Sequence, residues 1–65
     1  MMYIVFFSTN NVFKAEDLLN KADVVCHVVP TPASDRAYCG VCLQVDRDAR
    51  LDVISNIEYD KILEG

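Results

Sequence analysis

VVCHVVPTPASDRAYCGVCLQV, the sequence of residues 24–45, contains two apolar runs separated by a polar segment that opens with two prolines. The β-branched residues of both runs are typical of strands. Because proline fixes φ and lacks an N–H group, Pro30 and Pro32 are expected to end the first strand and to hold its exit extended. The polar segment leads to Cys39 and Gly40, directly before the second run. These residues therefore predict two strands, at 24–29 and 41–45, joined by a loop that ends at a thiol.

A strand and an amphipathic helix are predicted ahead of this stretch. Residues 3–7 are apolar on both faces, which is typical of a central strand covered on both sides. Residues 8–11 read Ser-Thr-Asn-Asn and cap helices well, so a helix is expected to begin at residues 10–11 and to end at residues 22–23. Its apolar stripe recurs at steps of three and four residues and consists of Val12, Ala15, Leu18, Leu19 and Ala22.

A second helix and a short last strand are predicted after residue 45. Asp46 or Asp48 would cap this helix, and Asn56 is a suitable left-handed residue to end it. Residues 59–63 are then expected to form the last strand. The apolar positions of the helix are Leu51, Ile54 and Ile57.

Strand, helix, strand, strand, helix, strand is the order of an α+β, ferredoxin-like split βαβ domain (βαββαβ), with two helices on one face of an antiparallel sheet. In that arrangement the first and third strands are central. With 65 residues, no repeats and no linker composition, residues 1–65 are expected to form a single domain.

The other face of such a sheet carries no helix. The side chains of the first strand are apolar on both faces, so one set would be left in water. This predicts a homo-oligomer, most simply a two-fold dimer, or a partner protein that covers the helix-free face.

Composition and charge exclude several classes of protein. Six Lys and Arg against ten Asp and Glu give a net charge of −4, which argues against nucleic acid as a partner. No apolar run approaches the roughly 18 residues of a membrane span, and residues 1–7 lack the basic start of a signal peptide, so we expect a cytoplasmic protein. No phosphate loop, Ser-His-Asp arrangement or paired-carboxylate helix is present. An ordinary hydrolase is therefore not predicted, and a binding protein without a cofactor is favoured over a stand-alone enzyme.

Three cysteines, an odd number, cannot all pair within the chain. A redox disulfide between Cys39 and Cys42 would need a turn at Gly40, because in an extended chain their Cα atoms would lie about 10 Å apart. A metal site that adds Cys26 or His27 to this pair would have three ligands at most, since adjacent strand residues point to opposite faces. Dithiol redox chemistry and metal binding remain alternatives.

Motifs in a fixed order carry a resemblance to a known family. After an N-terminal strand, the chain has Lys-Ala-Glu-Asp-Leu-Leu at 14–19, Val-Pro-Thr-Pro at 29–32, six further residues, and then Cys39-Gly40. This pattern resembles the small bacterial proteins of the putative selenium/sulfur (Se/S) carrier protein-like family, a domain of unknown function. The resemblance implies a carrier that holds a persulfide or selenopersulfide on Cys39 and delivers it to a partner enzyme, after loading by a donor such as a cysteine desulfurase.

A carrier thiol must be ionised and partly exposed, with backbone N–H groups to stabilise its charge. Cys39 and Gly40 after a polar loop fit these requirements. Arg36, three residues ahead, would lower the pKa of the Cys39 thiol, whereas Asp35 would oppose that effect, and Cys42 is the candidate second thiol. The alternative is a non-catalytic ferredoxin-like binding or oligomerisation module whose cysteines are incidental and act as small buried hydrophobes.

Overall fold

The computed structural model describes residues 1–31 and 40–64. Within these residues the protein is α+β, with one α-helix and a four-stranded antiparallel sheet. In chain order the elements are β1 (Met2–Val5), α1 (Thr9–Lys21), β2 (Cys26–Pro30), β3 (Val41–Val45), a 3-10 helix (Leu51–Ile54) and β4 (Lys61–Glu64).

The strands lie in the order β2-β3-β1-β4, and each neighbouring pair is antiparallel. The prediction that the first and third strands are central is therefore confirmed. Ile4 lies opposite Leu43 on one side and Ile62 on the other, and Val5 lies opposite Cys42 and Lys61. Because opposite residues share a face, this register decides which side chains meet the helix.

Helix α1 begins and ends with recognisable capping interactions. The Ser8 hydroxyl accepts a hydrogen bond from the Asn11 N–H at 3.3 Å, so the helix begins at Thr9, slightly ahead of the predicted start. At its end Asp23 is left-handed, with φ of 61°, and the Val24 N–H donates to the Leu19 carbonyl at 2.8 Å. This is a Schellman ending, in which the left-handed residue turns the chain toward β2.

The predicted second α-helix is wrong. Only Leu51–Ile54 is helical, as a 3-10 helix whose N-cap residue, Arg50, makes no side-chain cap hydrogen bond. The Asp46 carbonyl instead accepts from the Ala49 N–H in a turn. Among the described non-glycine residues only Asp23 has a positive φ, so Asn56 does not end a helix as predicted. A short helix without a cap gains too little free energy to offset the cost of nucleation, so no second α-helix forms. The structure therefore lacks one helix of the predicted βαββαβ arrangement.

Strand bounds differ from the prediction for local reasons. Strand β2 begins at Cys26 rather than at Val24, because Val24 is part of the Schellman ending of α1. Pro30 is the last residue of β2, opposite Val41, and is tolerated there because β2 is an edge strand. Strand β3 has the predicted bounds, β1 stops at Val5, and β4 runs later than predicted, from Lys61 to Glu64.

The core lies between α1 and one face of the sheet. The predicted helical stripe is largely confirmed, because three of its residues are buried and Leu18 packs against them. The 3-10 helix adds Ile54 to this core, and its Leu51 and Val53 pack against it. The buried members are Ile4, Phe6, Val12, Ala15, Leu19, Cys26, Leu43, Val45 and Ile54.

The opposite, helix-free face is less exposed than predicted. Its described residues, by register, are Tyr3, Val5, His27, Val29, Cys42, Gln44, Lys61 and Leu63. One set of β1 side chains was expected to be left in water, but Val5, which belongs to the set on this face, has 0% exposure, as does Cys42. Phe7, just beyond β1, is exposed. In the described part of the chain no helix has the length and apolar character of a membrane span.

Replacing the N-cap serine tests the described start of α1. We expect Ser8→Ala to lower the free energy of unfolding by about 1 kcal/mol, because the Asn11 N–H loses its acceptor. Ser55→Ala, at an exposed serine after the 3-10 helix, is the matched control and should change the free energy much less. Urea unfolding followed by circular dichroism measures both, and equal effects of the two variants would contradict the capping role.

Candidate functional site

The connection between β2 and β3 is closed at its base by a backbone hydrogen bond. The Thr31 N–H donates to the Gly40 carbonyl at 3.1 Å, directly beyond the opposed residues Pro30 and Val41. This bond continues the pairing of the two strands to the points where residues 32–39 leave and rejoin them. The two ends of the predicted thiol-bearing segment are therefore held side by side at one end of the sheet.

Gly40 is exposed and has a φ of +76°. Glycine adopts this left-handed conformation at little cost, whereas other residues are strained there. Apart from its two neighbours in the chain, no described residue has an atom within 4 Å of the place that a Cβ at Gly40 would occupy. Among the described residues, that side of the Gly40 backbone is consequently open.

Thr31 is a residue of this site that the sequence analysis missed. Its Oγ1 atom is buried and has no hydrogen-bond partner in the described part of the chain. A buried hydroxyl without a partner costs about 1 to 3 kcal/mol, so such a group calls for a functional or structural explanation. The only signal in the sequence is its place between the two prolines, and that place does not distinguish a functional threonine from a spacer.

Cys42 lies just inside the base of the connection, on the helix-free face. It is opposite Val29 on one side and Val5 on the other, and it is buried. Its Sγ atom is 4.0 Å from the Pro30 carbonyl, the distance of a weak S–H···O contact. Cys42 is thus a packed thiol, which must leave this position before it can react.

Cys26 lies on the other face of the sheet, against α1. Its thiol donates toward Asn20 Oδ1 at 3.7 Å and the Glu16 carbonyl at 3.9 Å. Burial, with a smaller contribution from the Glu16 carboxylate, raises the pKa of the Cys26 thiol above its ordinary value. Cys26 therefore stays protonated at neutral pH, and its surroundings are those of a structural cysteine.

The metal site that would have joined Cys26 to Cys42 is ruled out by the sheet, since the two side chains point to opposite faces. His27 shares the face of Cys42, but it lies opposite Gln44. Within residues 1–31 and 40–64 no group of three or more His, Cys, Asp or Glu side chains could hold a metal ion.

A polar row crosses the helix-free face beside the buried pair Val5 and Cys42. His27 lies opposite Gln44, and Gln44 lies opposite Tyr3. The Gln44 Nε2 atom donates to the Tyr3 hydroxyl at 3.3 Å. No Asp or Glu belongs to the helix-free face in the described strands, although the net charge of the chain is −4.

Pro32, Asp35, Arg36 and Cys39, to which the sequence analysis gave roles, lie outside the described residues. The disulfide alternative between Cys39 and Cys42 lies outside them as well. The carrier role of Cys39 and the effect of Arg36 on its pKa therefore stay predictions. The described residues bring together Thr31, Gly40 and Cys42 at the base of the connection and keep Cys26 on the opposite face.

Comparison with known proteins gives one match. The model of the family described as "Putative Se/S carrier protein-like" matches residues 1–64. No curated protein and no solved structure matches the chain significantly. The family match covers nearly every residue and confirms the resemblance seen in the sequence, so this chain belongs to the Se/S carrier protein-like family.

Proposed function

We propose that this protein carries sulfur or selenium as a persulfide or selenopersulfide on Cys39 and delivers it to a partner enzyme. The family match supports the carrier activity in general. The observation that carries the choice of Cys39 is the exposed, left-handed Gly40 that follows it, with open space on the side where a Cβ would stand. A partner's active-site group can reach the backbone at this point without displacing any described atom.

The two other cysteines support this choice by their burial. Thiolate, not thiol, is the nucleophile, and reactive cysteines are partly exposed. Cys42 has no exposed surface, and the raised pKa of Cys26 keeps that thiol protonated. Of the three cysteines, only Cys39 is left to act as the carrier without a change in the described structure.

Loading of the carrier requires no external oxidant or reductant. The Cys39 thiolate attacks the terminal sulfur of a persulfide on the donor enzyme, so that a bond forms between Cys39 Sγ and that sulfur. The sulfur–sulfur bond of the donor breaks, and the donor cysteine leaves as a thiolate with the electron pair. Delivery repeats the same exchange with a thiolate of the acceptor. A donor of the cysteine desulfurase class, acting in the cytoplasm where thiols are kept reduced, would supply such a persulfide.

Residues around the base of the connection would assist this exchange. A persulfide anion needs hydrogen-bond donors, and the Thr31 hydroxyl is a buried group whose own hydrogen bond is unmet in the described chain. Arg36 would lower the pKa of the Cys39 thiol through its positive charge. Cys42 would serve as a second thiol only after it leaves its contact with the Pro30 carbonyl, and attack by Cys42 on Cys39 Sγ would then release hydrosulfide and form a disulfide.

Whole-protein mass measurement tests the carrier function. After incubation with a cysteine desulfurase and cysteine, we expect the protein to gain the mass of one sulfur atom, and a reducing agent should remove it. Cys39→Ser should abolish this gain, because it removes the attacking thiolate, whereas Cys26→Ser, on the opposite face, should retain it as the matched control. Cys42→Ser should also load, because the second thiol acts only after Cys39 has taken up the sulfur. The non-catalytic alternative, in which the cysteines are incidental, predicts no added sulfur on any variant, and loading at Cys26 or Cys42 would contradict the assignment.

We further propose that the helix-free face pairs with a second copy of the chain. The apolar area that this face offers to a partner is smaller than the sequence suggested, because Val5 and Cys42 are buried. Tyr3, Val29 and Leu63 are only half-buried and still expose apolar surface there. The absence of described carboxylates from this face favours contact between two chains of net charge −4, since like charges are kept apart.

Sedimentation equilibrium at micromolar concentration tests this assembly. We expect a dimer, and Val29→Glu should shift the equilibrium toward monomer because it would place two carboxylates at the interface. Phe13→Glu, on the exposed side of α1, adds the same charge elsewhere and should leave the dimer intact. A single species of monomer mass for the unmodified protein would refute the proposal.

A further inference from the structure

The sheet has two edge strands, β2 and β4, and they differ in charge. Strand β4 carries Lys61 and Glu64, and Glu64 is paired with Arg47 at 2.8 Å. Charged side chains of this kind keep other strands from pairing with an edge. Residues 24–30, which contain all of β2, have no Asp, Glu, Lys or Arg. The edge of β2 therefore lacks this protection, and only Pro30 at its end would hinder a pairing strand.

The register shows which backbone groups of β2 point outward. In antiparallel strands, pairs of residues that exchange hydrogen bonds alternate with pairs that do not. The Thr31 N–H donates to the carbonyl of the opposed Gly40, so the odd-numbered residues of β2 are those that bond to β3. The even-numbered residues Cys26 and Val28 therefore turn their N–H and C=O groups away from β3, toward the outer edge of the sheet.

These outward groups specify the kind of partner that the edge can bind. Among the described residues, no backbone group outside the sheet bonds to Cys26 or Val28. Their donors and acceptors repeat every second residue, at a spacing of about 6.6 Å, which another extended strand matches. Pro30, the next residue of this set, has no N–H, so the run of free groups ends there. The edge is thus suited to one short added strand.

Helix α1 supplies a second feature on the same edge. The Cys26 Sγ atom lies 3.9 Å from the Glu16 carbonyl and 3.7 Å from Asn20 Oδ1, so this side of α1 overlies β2. Phe13 is on the same side by helical spacing, and 51% of its surface is in water. The Glu16 carboxylate helps to raise the pKa of the Cys26 thiol, so it is close to β2, and the ion pairs of the described residues do not include it. A strand added to β2 would therefore meet an aromatic ring and a carboxylate on its α1 side.

We propose that the outer edge of β2 binds an extended segment of a partner protein as a fifth, antiparallel strand, with one apolar and one basic side chain facing α1. All neighbouring pairs of this sheet are antiparallel, and the added strand continues that pattern. A second copy of the chain is a poorer occupant, because two-fold pairing of β2 would bring two α1 helices, each with its Glu16, side by side on one face. The inference does not depend on the chemistry of Cys39, and its test can fail while the sulfur transfer succeeds.

A designed peptide serves as the probe. It has about seven residues, the length of a strand, with valine and threonine in alternation and one lysine in the valine set. In the free protein, the amides of Cys26 and Val28 should exchange with solvent faster than those of His27 and Val29, because only the second pair bonds to β3. At saturating peptide, exchange at Val28 should slow by at least about tenfold, as measured by NMR on the isotopically labelled protein.

Methylated peptides provide matched controls that leave the protein unchanged. N-methylation of the valine and lysine residues removes the N–H groups that would bond to β2, and it should weaken binding by at least about tenfold. N-methylation of the threonines, whose N–H groups would point to solvent, should change the affinity by less than about threefold.

Two protein variants test the charge. Glu16→Gln should weaken binding of the lysine peptide by about threefold or more, because it removes the carboxylate beside Cys26. Asp17→Asn removes the same charge one residue along, where the exposed carboxylate is paired with Lys21, and should change the affinity by less than about 1.5-fold. Glu16→Gln should leave the affinity unchanged for a peptide with threonine in place of lysine.

Four results would overturn the proposal. The first is unchanged exchange at Val28 with the peptide in excess, and the second is equal weakening by the two methylations. The third is an affinity for the lysine peptide that Glu16→Gln leaves unchanged. The fourth is protection of the Cys26 and Val28 amides that increases with protein concentration in the absence of peptide, since a second copy would then occupy the edge.

Discussion

The antiparallel pairing of β1 with β3 is the contact on which the rest of the structure depends. It sets Ile4 against Leu43 and Val5 against Cys42, and a slip of one residue would exchange the two faces. With this register Ile4 and Leu43 meet the apolar stripe of α1, and Cys42 is directed to the helix-free side. The same pairing delivers β3 to Gly40, where the hydrogen bond from Thr31 holds the two ends of the β2–β3 connection together.

Features with strong periodicity could be predicted from the sequence. The alternation of 24–29 and 41–45 predicted which residues of each strand share a face, because neighbouring side chains of a strand point to opposite sides, but it did not predict which face meets the helix. The stripe of α1 was found for the same reason at helical spacing. The family was identified from the order of motifs, and its match covers residues 1–64.

The remaining features depend on helix capping and tertiary packing, which the spacing of apolar residues does not reveal. Leu51, Ile54 and Ile57 have helical spacing, yet no side chain caps the segment, and only one 3-10 turn forms. Asn56 is not left-handed, since no second α-helix forms for it to end, whereas Asp23 is left-handed in the Schellman ending of α1. The unmet Thr31 hydroxyl follows from tertiary packing alone, so no pattern in the sequence indicates it.

Both cysteines that the structure describes are buried. Cys26 belongs to the core beneath α1, and Cys42 packs within the helix-free face. A domain of this size has few side chains to spare for its core, and a buried thiol packs there as a small hydrophobe. The carrier proposal therefore requires that the third thiol, Cys39, differ sharply from the others in reactivity.

Site-resolved alkylation of the folded protein with iodoacetamide at neutral pH tests this requirement most directly. We predict that Cys39 is modified first. Cys42 and Cys26 should be modified only at the rate at which the protein opens, because both thiols are buried and the pKa of Cys26 is raised. Modification of Cys26 or Cys42 as fast as that of Cys39 would contradict it.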